Sequence, residues 1–263
     1  MNLRKHILDT LTGVAVLLTA TACNGVFDGI YDEVSATPTV TEGQLLVDAT
    51  SWKEWYYVDF DSLRTYIEQK DTAGLLKAQT HFAHFPIPTT LSGGAGDGQT
   101  GIYTYWFDVF GKGISVNEKR SFTSADAQEE PPSWSIAFHR NNVRTNGGAV
   151  LETNYKSMSE LPKSSIDFLG ATFQPDEWSE NEVWADQSQM LQSLIGCQGI
   201  KINKVLSTWL RLDIPPMPPA FTMNSHVFII RMKNGNYAAV QLENYMNAEG
   251  AKCWLTINYK YPY

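Results

Sequence analysis

Few side chains in this chain are placed to do chemistry. His81 and His84 are spaced to put two imidazoles on one side of a helical turn, as a metal site requires. Phe82, Phe85 and Pro86 surround them, and neither an HExxH pattern nor a third nearby His completes the set, so the pair reads as two histidines of an aromatic segment. Cys197 and Cys253 either pair with each other in an oxidising compartment or stand as buried thiols. Neither belongs to a CxxC or to a Cys/His spacing typical of zinc. No GxSxG elbow occurs, and the glycine-rich run at 93–98 lacks the Lys-Ser/Thr that completes a phosphate loop. The chain therefore reads as a protein that is not an enzyme. His139 ends an apolar run and reads as a strand histidine satisfied by backbone. Arg140 and Arg144 read as bonded to nearby carbonyls or carboxylates, and His226 as an exposed residue opening a strand.

The remaining reactive residue is Cys23. Arg4, Lys5 and His6 form a basic start, and residues 11–18 form an apolar run too short to span a bilayer. Thr19, Ala20, Thr21 and Ala22 then lead to the cysteine. The pattern resembles a bacterial lipobox, in which the Cys is diacylated and becomes the first mature residue. Residues 1–22 are expected to be a signal peptide, Cys23 the lipidation site, and residues 23–43 a flexible tether made acidic by Asp28, Asp32 and Glu33. Removing residues 1–22 takes Lys plus Arg from 20 to 18 and Asp plus Glu from 28 to 27, so the net charge moves from -8 to -9. That sign disfavours nucleic acid as a partner. No later run is long and apolar enough for a transmembrane helix, so the protein is read as anchored rather than spanning.

The elements that would position a site follow from pattern. Residues 45–48, 54–60, 101–110, 134–139 and 149–155 read as strands from their Val, Ile, Tyr, Trp and Phe content. Asn146-Gly147-Gly148 supplies a tight turn between the last two. Residues 62–79 carry Leu63, Tyr66, Ile67, Leu75 and Leu76 at roughly helical spacing and predict a short helix broken near Gly74. Residues 186–195 place Met190, Leu191, Leu194 and Ile195 at helical spacing, with Gly196 as a stop. Residues 81–101 and 118–133 read as connections, and 164–184 carries no clear pattern. Pro215-Pro216-Met217-Pro218-Pro219 is a rigid extended loop. Residues 226–232 and 237–245 flank Lys233-Asn234-Gly235-Asn236 as a hairpin, followed by a strand at 253–259. Ala238, Val240 and Leu242 share one face, as do Cys253, Leu255, Ile257 and Tyr259, so this sheet lays one face on a core. The expected class is mostly β: an antiparallel sheet or sandwich with a few short helices. Twelve per cent aromatic residues suit either a sandwich core or a pocket for a flat apolar ligand.

Four segments, in order, resemble the HmuY family. Val47-Asp48-Ala49-Thr50 with Trp55-Tyr56-Tyr57 is similar to the family's first strands. Trp134-Ser135-Ile136-Ala137-Phe138-His139-Arg140, running on to Val143-Arg144-Thr145-Asn146-Gly147-Gly148, is similar to its most recognisable block. Residues 227–240 around Asn234-Gly235-Asn236 resemble its C-terminal hairpin, and residues 257–262 its last strand. The likeness spans most of 44–263, with residues from about 61 to 132 resembling an insertion carried by longer members.

The resemblance implies an all-β fold with haem held at a sheet edge, and a role in iron acquisition. Such a protein would sit on the outer membrane at the cell surface, or be released, and would pass haem to a TonB-dependent receptor. An adhesive surface lipoprotein without haem is the alternative. The bis-histidine ligation of some members has no counterpart here, because no His lies between Arg140 and Ser225. Other members use Met at these places, which directs attention to Met190 and Met217 as axial ligands of the haem iron. Met223 is a third candidate, expected to point into the sheet. Arg140 and Arg144 are within the block that would offer partners to haem propionates.

Overall fold

A computed structural model describes residues 40–87, 91–92, 103–108, 122–124, 128–187, 190, 194–213 and 219–263. Its strands are β1 (Gln44–Asp48), β2 (Glu54–Val58), β3 (Ala83–Pro86), β4 (Leu91–Ser92), β5 (Tyr103–Asp108), β6 (Phe122–Ser124), β7 (Ile136–His139), β8 (Asn142–Thr145) and β9 (Ala149–Glu152). They continue as β10 (Gln174–Pro175), β11 (Glu177–Asp186), β12 (Leu194–Ile202), β13 (Leu210–Asp213), β14 (Ala220–Met223), β15 (Phe228–Arg231), β16 (Tyr237–Met246) and β17 (Lys252–Lys260). Two α-helices lie among the described residues, α1 (Phe60–Gln69) and α2 (Thr72–Thr80).

The strands form a six-stranded sheet in the order β1-β17-β16-β15-β9-β10, a four-stranded sheet β3-β2-β7-β8, a five-stranded sheet β11-β12-β5-β6-β4, and the ribbon β13-β14. Period-two alternation in the four-stranded sheet sets the layering. From β2 and β7, Val58, Ile136 and Phe138 join Leu45, Val47, Phe228, Ile230, Val240, Leu242, Leu255 and Ile257 of the six-stranded sheet in the main core. The alternate residues Trp55, Tyr57 and Ala137 face the other way, onto Val183, Ile200 and Ile202 of β11 and β12. The four-stranded sheet is thus a middle layer between the other two. Trp209 closes the main core by stacking on Phe138, with ring centroids 5.5 Å apart, while its Nε1 donates to the Asn141 carbonyl.

The mostly β antiparallel fold is the one expected, and the C-terminal hairpin pairs β15 with β16 as read. Four local readings are corrected. The helix breaks at Lys70, which is left-handed at φ 58°, and Asp71 then caps α2 by accepting from the Gly74 amide. Gly74 is inside α2, where a Cβ would lie 2.7 Å from the Tyr66 ring; it is glycine so that the two helices can meet. Asn146-Gly147-Gly148 is not a hairpin turn. β7 turns into β8 through Arg140 and Asn141, with Arg140 at φ 54°, and the Gly pair carries the chain from the four-stranded to the six-stranded sheet. Residues 194–195 open β12 instead of ending a helix, since β11 and β12 pair as a hairpin and β12 also pairs with β5. Finally, the segments read as connections contribute strands: β3 pairs with β2, and β6 pairs with β4 and β5, whereas β5 itself is the strand read at 101–110.

Candidate functional site

Met190 lies between β11 and β12 in 3-10 conformation, and its amide donates to the Gln187 carbonyl. Its side chain is half-buried. It packs against a small cluster of Trp184, Ile195 and Cys197, which Trp52, Trp178 and Leu212 also join. These residues come from β11, β12, β13 and the β1–β2 connection. Tertiary pairing, rather than local sequence, makes one aromatic wall of them. The Cys197 thiol is buried here, and burial pushes its pKa up to about 12, so it is a neutral thiol rather than a thiolate donor. The Met190 thioether is the soft donor of the cluster that needs no deprotonation.

His139 fixes the wall from behind. Its ring is fully buried and reaches two carbonyls: Nδ1 is 2.8 Å from the Glu54 oxygen on β2, and Nε2 is 2.7 Å from the Trp184 oxygen on β11. A neutral imidazole has one N–H and donates to only one of them; the second donation needs a second proton. The two carbonyls favour that proton, but burial opposes it more strongly and lowers the pKa to about 4. His139 is therefore a neutral ring buried between the middle sheet and the hairpin that carries Met190, donating to one of the two carbonyls. The reading of a strand histidine satisfied by backbone agrees with this geometry. Trp184 in turn lies 5.9 Å from Trp52, over which the Arg140 guanidinium sits at 4.4 Å while donating to the Thr50 carbonyl at 3.0 Å.

A cavity of about 360 Å³ opens beside this wall, and Trp184 and Leu212 belong to both. The other arginine of the block, Arg144, is buried in a box of Trp55, Tyr57 and Trp134 and paired with Glu130 at 2.8 Å. His81 caps the end of α2 and His84 is on β3, paired with Glu54 at 3.2 Å, so the two do not share a helical turn. Among the described residues no group of three or more His, Cys, Asp or Glu is arranged to hold a metal ion. Met223 is 39% exposed on β14, which corrects the expectation that it turns into the sheet. Met217 and Cys23 lie outside the described residues, so Met190 is the predicted site residue whose surroundings are defined. Sequence reasoning missed the tryptophans around it. Trp178 and Trp184 share β11, but Trp52 comes from the distant β1–β2 connection, and only the tertiary fold brings it to 5.9 Å from Trp184.

The layered antiparallel sheets place the molecule among mostly β proteins. The chain belongs to the HmuY protein family, whose profile matches residues 51–259. It is similar to the crystal structure of a candidate lipoprotein from Bacteroides fragilis, at 29% identity and a TM-score of 0.54, over 84% of this chain and 89% of that one. It is similar also to a candidate HmuY-like heme-binding protein from Bacteroides vulgatus, at 27% identity and a TM-score of 0.52, over 84% and 91% of the two chains. The apo HmuY analog of Tannerella forsythia shares the fold, with a TM-score of 0.54 at 20% identity over 82% and 93%. No curated protein sequence matches this chain.

Proposed function

We propose that this protein binds haem as cargo, with Met190 and Met217 as axial ligands of the iron, and hands it to a TonB-dependent outer-membrane receptor without carrying out a reaction. The observation that carries the reading is the half-buried Met190 thioether set against a tryptophan wall beside an open cavity. Flat apolar rings stack well on such a wall, and a neutral sulfur suits the iron at their centre. Membership of the HmuY family supports haem over adhesion. Met217 enters on sequence: it follows Leu212 of the wall by five residues, between two Pro pairs that stiffen the backbone on either side. The bound haem would supply iron; the chain's own part is to hold it, orient it and keep water from it.

The same proposal includes export. Residues 1–22 act as a signal peptide, Cys23 carries the lipid, and residues 23–43 tether the β domain of 44–263 to the outer membrane. The region at about 61–132, proposed as a family insertion, shapes the site through β5, which is hydrogen-bonded to the hairpin strand β12.

Titration of the purified chain with ferric and ferrous haem tests the reading. A saturable Soret shift is expected, tighter for ferrous haem because thioethers favour the softer ion. Met190→Ala and Met217→Ala should each alter the spectrum and weaken ferrous binding about tenfold or more, equivalent to about 1.4 kcal/mol. Binding untouched by both substitutions rejects the ligands, and absence of saturable binding rejects the function.

A further inference from the structure

We infer that the cavity beside Trp184 and Leu212 is a carboxylate-binding subsite, in which Lys204 and Arg211 receive the acidic edge of the tetrapyrrole. The inference rests on the haem reading and assigns the orientation of the ligand within it. Trp184 and Leu212 line the cavity and also belong to the Met190 wall, so a flat ligand stacked on that wall extends its rim into the cavity. Lys204 follows β12, Arg211 is on β13, and both line the same space.

Their charges are available. The Lys204 and Arg211 side chains are 44% and 67% exposed. Lys204 has only a 4.0 Å approach to Glu177, and Arg211 pairs at 3.0 Å with Asp213 two residues along its own strand. Exposed pairs of this kind are weak, so an incoming carboxylate displaces little. The arginines of the His139 block are committed elsewhere: Arg140 to Thr50 and Trp52, Arg144 to Glu130 and its aromatic box. Glu182 also lines the cavity, but its Oε2 accepts from the Ser179 hydroxyl at 2.6 Å, and the lining keeps one net positive charge in a chain of net charge -8. The Asn142 amide, 3% exposed, completes the wall. Its Oδ1 has no hydrogen-bond partner.

The test compares haem with haem dimethyl ester, which keeps the ring and iron but has no carboxylate. The full chain and its Lys204→Gln/Arg211→Gln double variant are titrated with both. The native chain should bind the ester about tenfold more weakly than haem, and the double variant should bind haem more weakly by a similar factor. The double variant should also no longer distinguish haem from ester, with its thermal unfolding unchanged because both positions are exposed. An equal preference for haem over ester in both proteins overturns the subsite and leaves haem binding intact. Failure of the native chain to bind either compound overturns the haem reading and the subsite with it.

Discussion

His139 shows how one side chain reaches from the core to the site. Neutral in the fold at neutral pH, it lies between the carbonyls of Glu54 on β2 and Trp184 on β11 and donates to one of them, and Trp184 belongs to the wall on which Met190 packs. Its pKa of about 4 in the fold lies below the ordinary 6.5, so the unfolded chain takes up the proton first as pH falls. The stability it confers is complete above about pH 6.5 and is lost as pH falls towards 4. The shift corresponds to a loss of roughly 3 kcal/mol. Urea unfolding at pH 7 and pH 4.5 checks this: His139→Gln lacks the titration and should show a distinctly shallower acid loss than the native chain. Equal losses would show that the ring is charged in the fold. The backbone-satisfied role of His139 was legible in sequence because an apolar strand leaves a polar ring little else to bind. The two carbonyls were not, since Glu54 and Trp184 are 85 and 45 residues away.

At the scale of elements, local chemistry was read well and distant pairing was not. The Lys233-Asn234-Gly235-Asn236 turn joins adjacent strands, so its signal is complete within a dozen residues. Residues 186–195 misled because helical spacing of Met190, Leu191, Leu194 and Ile195 fits equally the connection and opening of a strand whose partners include Tyr103–Asp108. The Gly147-Gly148 pair misled differently. Its glycines are present because the chain crosses between sheets and passes close to β15. A Cβ on Gly148 would lie 2.9 Å from the Arg231 carbonyl oxygen, a backbone atom held in the β15–β9 pairing. Gly148→Ala should therefore destabilise the fold by about 1–3 kcal/mol through displaced backbone, measured by urea unfolding. A neutral outcome would mean that the crossing relaxes freely.

For the whole molecule, the middle sheet is the organising feature. One face completes the main core and the other supports the β11–β12 hairpin, so the site is built on a layer that is itself buried on both sides. Trp209, fully buried against Phe138, joins that layer to the 3-10 turn that leads into β13 and Leu212. Trp209→Ala should cost about 3–5 kcal/mol of unfolding free energy, which calorimetry or denaturant titration will read. An effect below about 1 kcal/mol would place the tryptophan outside the cooperative core. The mostly β class was legible because alternation survives in β16 and β17, but the three-layer order was not, because neither face of β2 or β7 is polar. X-ray absorption at the iron edge of the bound ferrous haem tests the central claim most directly. Two sulfur scatterers in the axial shell, one of them lost in Met190→Ala, are predicted; an axial shell of nitrogen or oxygen alone would contradict it.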